Sequence, residues 1–119
     1  MSTSLLTKGE AYLAAWKDKD LKRIAAHIHP KVQFKGPMTE LSGSESFLSS
    51  CEMILPMLKD LKVRSKFASE NQAIFTYDFV CQEPIGVCRT AELLTFEDEQ
   101  IKSIELFFDA LPFEKLKRS

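Results

Sequence analysis

Glu92 stands near the middle of "VCRTAELLTF", residues 87–96, a stretch that reads as a β-strand. Ala91 precedes it, and Leu93 and Leu94 follow. A carboxylate rarely enters apolar surroundings without a partner or a task, because taking its charge out of water is costly. Pairing with Arg89 or a lysine, or a purely structural hydrogen bond with Tyr77, would account for it. A pocket in which the acid does chemistry would also account for it, with desolvation raising its pKa. The other chemically capable residues offer less. In "HIHP", His27 and His29 lie two apart, a spacing that points them in different directions on a helix. No third ligand sits at an obvious spacing, so neither a metal site nor a cofactor is expected. Cys51, Cys81 and Cys88 are odd in number and form no C-x-x-C pair. With no His or Lys beside them to stabilise a thiolate, they read as reduced packing residues of a cytoplasmic protein. Tyr12, four residues before Trp16, is by itself an ordinary core tyrosine.

The elements that must position these residues follow from periodicity. Leu5, Tyr12 and Trp16, flanked by Leu6 and Leu13, form an apolar stripe at helical spacing. Asp18 or Asp20 can cap a second helix, in which Leu21, Ile24, Ala25 and Ile28 share a face, ending before Pro30. "VQFKGP" is a short extended segment closed by Gly36 and Pro37. "SGSE", residues 42–45, fits a capping box opening a third helix with Phe47, Cys51, Ile54 and Leu55 on one face. After Pro56 the period becomes two. Leu61, Val63, Ser65 and Phe67 alternate with Lys62, Arg64 and Lys66, a half-buried strand with a basic, solvated outer face. "AIFTYDFVCQ" sets Phe75, Tyr77, Phe79 and Cys81 on one side, "EPIG" turns the chain, and residues 87–96 return. "EDEQ" leads into a last strand, "IKSIELFFDA". Three helices followed by an antiparallel meander predict an α+β fold, helices packed on one face of a curved sheet.

The last strands are apolar on both faces, with Ile104, Leu106 and Phe108 on one and Ile101 and Phe107 on the other. A sheet covered on one side should alternate more cleanly. A second subunit over Ala91, Leu93, Ile101 and Phe107, giving a homodimer, is the simplest cover. Composition narrows the function classes. The 119 residues suit a single domain over 1–119, with 45% hydrophobic and 28% charged residues. A net charge of −1 and a pI near 6.1 leave no footprint for nucleic acid. No apolar run reaches membrane-spanning length, and Lys8 and Glu10 interrupt the N-terminal apolar residues, so neither membrane nor signal peptide is expected.

The order and spacing of "YLAAWKDKDL", "VQFKGP", "LSGSESF" and "ELLTFEDEQIKSIELFF" resemble the nuclear transport factor 2 superfamily, from Tyr12 to Phe108. That group includes ketosteroid isomerase and the SnoaL-like polyketide cyclases. The resemblance implies a cystatin-like cone of three N-terminal helices on a curved, mainly antiparallel sheet. It implies that Cys88, Thr90, Glu92, Leu94 and Phe96 face the cone interior beside Phe75, Tyr77 and Phe79. Val32 and Phe34 would lie at the narrow end. Tyr12 falls where ketosteroid isomerase has its oxyanion-hole tyrosine, and Glu92 where it keeps a neutral carboxylic acid. Phe108 falls at an aromatic pocket wall. The position of the general base holds Gly36, which has no side chain.

Tyr12 and Glu92 are then the catalytic candidates, as hydrogen-bond donors to oxygen charge developing on a carbonyl or enol ligand. Trp16, Phe34, Gly36, Cys51, Phe75, Tyr77, Phe79, Thr90, Leu94 and Phe108 would bind a small hydrophobic molecule. His27, His29 or Glu40 are candidates for the missing base, each with a plainer reading as a surface or helix-end residue. Asp78 and Arg89 fall on the opposite face, where a diagonal cross-strand ion pair accounts for both. Two functions remain open: an isomerase or cyclase without cofactor, and a binding module using the same pocket without chemistry. The aromatic residues fit either a pocket wall or a filled core.

Overall fold

The computed structural model describes residues 2–118. Helix α1 (Ser2–Lys17) packs Tyr12, Leu13, Ala15 and Trp16 inward. The short α2 (Leu21–Ala26) is capped by Asp20, whose side chain accepts from the Arg23 N–H. Ile28 does not continue that helix. It opens strand β1 (Ile28–Lys35), because Pro30 cannot supply a helical N–H and its neighbours are forced to extend. Strand β2 (Glu40–Ser42) precedes α3 (Ser44–Ile54). The expected capping box is not formed. Gly43, at φ +89°, is the N-cap residue, and Ser46 Oγ donates to the Ser42 carbonyl instead. A 3₁₀ turn (Leu55–Met57) leads to β3 (Leu58–Ser69), β4 (Gln72–Cys81), β5 (Val87–Glu97) and β6 (Gln100–Phe108). A further helix, α4 (Leu111–Arg118), which the periodicity did not reveal, follows β6.

The six strands form one sheet in the order β2-β1-β6-β5-β4-β3. β3 to β6 are the expected antiparallel meander, while β1 lies parallel to β6 and carries β2 at the edge. The helices α1 to α3 lean on the concave face, so the fold is a curved sheet with helices on one side, a cystatin-like α+β cone. No helix among the described residues is long and apolar enough to cross a membrane.

Two bulges redirect side chains that strict alternation would have misplaced. In β3 the register shifts between Val63 and Ser65, after which Lys66 pairs with Glu10 on α1 and Phe67 stands 65% exposed. In β6 the register shifts opposite Thr95 and Phe96, which turns Ile101 into the core, fully buried, rather than onto the outer face. Phe107 does lie outside, 50% exposed. Asp78 stands directly opposite Arg89 in the ladder, but its ion pair is with Arg64 of β3, at 3.7 Å.

Candidate functional site

β5 alternates without interruption: Cys88, Thr90, Glu92, Leu94 and Phe96 are buried, and the residues between them are more exposed. The concave face they share with β4 is divided. Its narrow half is filled by Ile24, Val32, Phe75, Leu94, Phe96, Ile101 and Ile104. Its wide half is a cavity of about 710 Å³, of the size of small-molecule sites.

Ten of the twelve residues expected at the site line this cavity: Tyr12, Trp16, Phe34, Gly36, Cys51, Tyr77, Phe79, Thr90, Glu92 and Phe108. Phe75 and Leu94 do not. The reason is Gly9: a Cβ there would come within 2.3 Å of the Phe75 ring, so α1 closes directly onto that ring and holds it in the core. Leu94, paired across the ladder with Ala73, is fully buried behind it. Val32 likewise belongs to the filled half, while Phe34 faces the cavity with its ring 5.6 Å from that of Phe47.

Glu92 is therefore the last cavity residue before the filled core, and it forms the floor. It is 4% exposed. Tyr77 is paired with Thr90, one step diagonally from Glu92, and its hydroxyl donates to Glu92 Oε1 at 2.8 Å. The structural partner is thus Tyr77, not Arg89 or a lysine. The buried Tyr12 hydroxyl supports the same carboxyl from α1. Burial pushes the Glu92 pKa up to about 7, while the hydrogen bonds from Tyr77 and Tyr12 restrain the rise. Burial, with the Glu92 charge second, drives both phenols well above their usual range. Burial also raises the Cys51 and Cys88 thiols, and lifts Cys81 to about 11, so none is an activated thiolate.

Among the described residues, Glu92 is the one carboxylate lining the cavity, and no Lys, Arg or His lines it. His27, His29 and Glu40, the candidates for a replacement base, all lie outside. His27 packs edge-on against the Tyr12 ring at 6.4 Å. His29 does gather two acidic neighbours, Glu97 and Asp98, which sequence spacing did not reveal. Its Nδ1 accepts the Lys31 N–H, so neutral His29 carries its proton on Nε2, 3.7 Å from Glu97. That N–H is a donor, not a metal ligand.

Sequence reasoning missed part of the wall. Leu41, Ile54, Met57, Leu61 and Leu106 add apolar surface, and Met38 and Met53 stand at the mouth, 37% and 78% exposed. Phe113 of α4 also lines it, its ring 5.4 Å from Phe108. The three methionines other than Met1 were the available signal, since flexible thioethers suit irregular apolar walls.

An α+β cone enclosing an apolar cavity with one acid at its floor defines the class. The SnoaL-like domain model matches residues 10–104, and the chain belongs to that family; its fold is shared by NTF2-like proteins. A protein from Kribbella flavida DSM 17836 is similar at 26% identity and TM-score 0.88, over 95% of this chain and 93% of that one. An LEH-like epoxide hydrolase of M. tuberculosis shares the fold at 14% identity and TM-score 0.80, over 98% and 92%. TerC, co-crystallised with polyporic acid, shares it at 16% identity and TM-score 0.79, over 98% and 99%. No curated protein matches the chain.

Proposed function

We propose that this protein binds a small hydrophobic ketone or enol in the cavity and promotes its isomerisation or cyclisation. The observation that carries this reading is Glu92: one nearly buried carboxyl, bonded to Tyr77 at 2.8 Å, on the floor of a cavity lined mainly by apolar and aromatic residues. A carboxyl that titrates near 7 exists in both forms at neutral pH. Protonated, it donates to a carbonyl oxygen; ionised, it accepts from an enol hydroxyl. Tyr12 and Tyr77 hold the carboxylate left when the proton has moved. The proton on the α-carbon leaves to water or to a group of the substrate, because Gly36 offers no acceptor. TerC with polyporic acid and the LEH-like epoxide hydrolase support a small-molecule role for this fold.

The test is deuterium exchange at the α-carbon of 2-tetralone, followed by NMR, alongside binding read from Trp16. Trp16 is the chain's one tryptophan and lines the cavity, so its fluorescence reports occupancy. The expected result is binding with exchange above the buffer rate, and at least a tenfold loss of exchange in Glu92→Gln. Gly36 favours a second reading, a binding module without chemistry. Binding with no exchange above buffer would select that one, and no binding would refute both.

A further inference from the structure

We infer that the cavity also takes hydrophobic amines, with the ammonium group seated on Glu92 at its floor, and that it excludes anions. This rests on the cavity being a ligand site, but on no reaction there. Charge and hydrogen-bond inventory decide which ligands fit. Among the described residues no cationic side chain lines the cavity, and the one carboxylate there is nearly buried. A carboxylate or phosphate ligand would lose its water and meet only like charge, and the Thr39, Ser50 and Thr90 hydroxyls that share the wall carry no positive charge to balance it. An ammonium finds the opposite. Tyr77 donates its hydroxyl proton to Glu92 Oε1 and the Tyr12 hydroxyl supports the same carboxyl, so with the carboxyl ionised the floor presents acceptor lone pairs. Three N–H donors of an ammonium match that set. Tyr12, Trp16, Tyr77 and Phe79 supply aromatic walls, whose faces attract a desolvated cation.

The groups facing Glu92 from the elements around it leave it alone to titrate near neutrality. Tyr12 from α1 and Tyr77 from β4 have pKa values far above their usual range, and those of Cys51 from α3 and Cys88 from β5 are raised. His27, edge-on to Tyr12, has its pKa lowered by burial and by Arg23 and Lys8.

Three ligands of one shape test the inference by titration calorimetry: 2-naphthol, 2-naphthylmethylamine and 2-naphthoate. At pH 8 the amine should bind at least tenfold more tightly than the naphthoate. A carboxyl titrating near 7 is roughly one-tenth ionised at pH 6 and nine-tenths at pH 8, so amine affinity should rise by about tenfold over that range. Naphthol affinity should not rise. Glu92→Gln should cost the amine at least tenfold and abolish the rise of its affinity between pH 6 and 8. If naphthol binds while amine affinity is flat or falling from pH 6 to 8, the inference is overturned and the ligand site stands. If none of the three binds, the site itself is refuted and the inference with it. The pH series uses the native protein, so its outcome does not depend on Glu92→Gln folding.

Discussion

Glu92→Gln is the change that reads the site most directly, through stability as well as binding. In the unfolded chain the carboxyl titrates near its ordinary 4.5, and in the folded protein near 7. Between those values the folded state holds a proton that the unfolded state has lost. The stabilising contribution of protonated Glu92 is complete below about 4.5, declines as pH rises through the window, and is gone above about 7. At 1.36 kcal/mol per pKa unit, the loss across the window is about 3 kcal/mol, a large share of the net stability of a small domain. Asp60 and Glu99 have lowered pKa values and act with the opposite sign, so total stability need not fall by that amount. The difference between wild type and Glu92→Gln removes them. A glutamine amide can accept from Tyr77 and donate toward Tyr12 without titrating. The variant should therefore be as stable as wild type or more so at pH 7, and its advantage should grow by about 3 kcal/mol between pH 4.5 and pH 8. Urea unfolding of both proteins at half-unit steps measures this, and a carboxyl-carbon NMR titration gives the Glu92 pKa itself. An ordinary glutamate pKa, with Glu92→Gln destabilised equally at every pH, would refute the reasoning.

Three other perturbations test separate features of the molecule. Tyr77→Phe removes the donor at 2.8 Å from a buried carboxyl, so the Glu92 pKa should climb above 7 by NMR, and stability at pH 8 should fall by about 1–3 kcal/mol. Steroid double-bond isomerisation, followed by absorbance, should be undetectable or very slow, because a positioned base contributes roughly 10²–10⁴-fold and Gly36 contributes none. Efficient turnover by the wild-type protein would show that another residue is the base. A Cβ at Gly36 would sit 3.2 Å from the Phe34 ring, so Gly36→Asp, the gain-of-function test, needs that ring to shift slightly. We propose finally that the outer sheet face pairs two copies through Phe107 and its neighbours Ala91 and Leu93. Light scattering should give a dimer mass at micromolar concentration, and Phe107→Glu a monomer; a monomeric wild type would end that proposal.

The sequence was most legible where side-chain period and burial agree. β5 alternates without a bulge, so Cys88, Thr90 and Glu92 are buried on the one face that the resemblance implied for them. β3 and β6 are each bulged, and a single added residue inverts the face of the residues on one side of it, which is why Phe67, after its bulge, and Ile101, before its own, were misplaced. Phe75 was misread for a different reason. Its strand phase is right, but whether an inward ring lines a cavity or fills a core depends on the element facing it. Here that element is α1 at Gly9, 66 positions away in sequence and silent until the helix is docked. The helix α4 was hidden by its short length and basic end, and with it went Phe113.

The division of the cone also accounts for the properties of its acid. Gly9 lets α1 press on Phe75, and Phe75 is the ladder partner of Glu92, so the floor of the cavity lies where the close packing stops. A carboxyl placed deeper would lose all access to a ligand, and one placed nearer Met53 at the mouth would be solvated and keep an ordinary pKa. At the boundary, desolvation and two phenol hydrogen bonds act against each other, and their balance holds the group near 7. The same balance makes it answerable to what enters. A neutral apolar ligand strips remaining water and favours the protonated acid, whereas an ammonium favours the carboxylate. The sign of proton exchange on binding, measured by calorimetry in buffers of different ionisation enthalpy, should therefore be uptake for naphthol and release for the amine. One residue at one depth produces both.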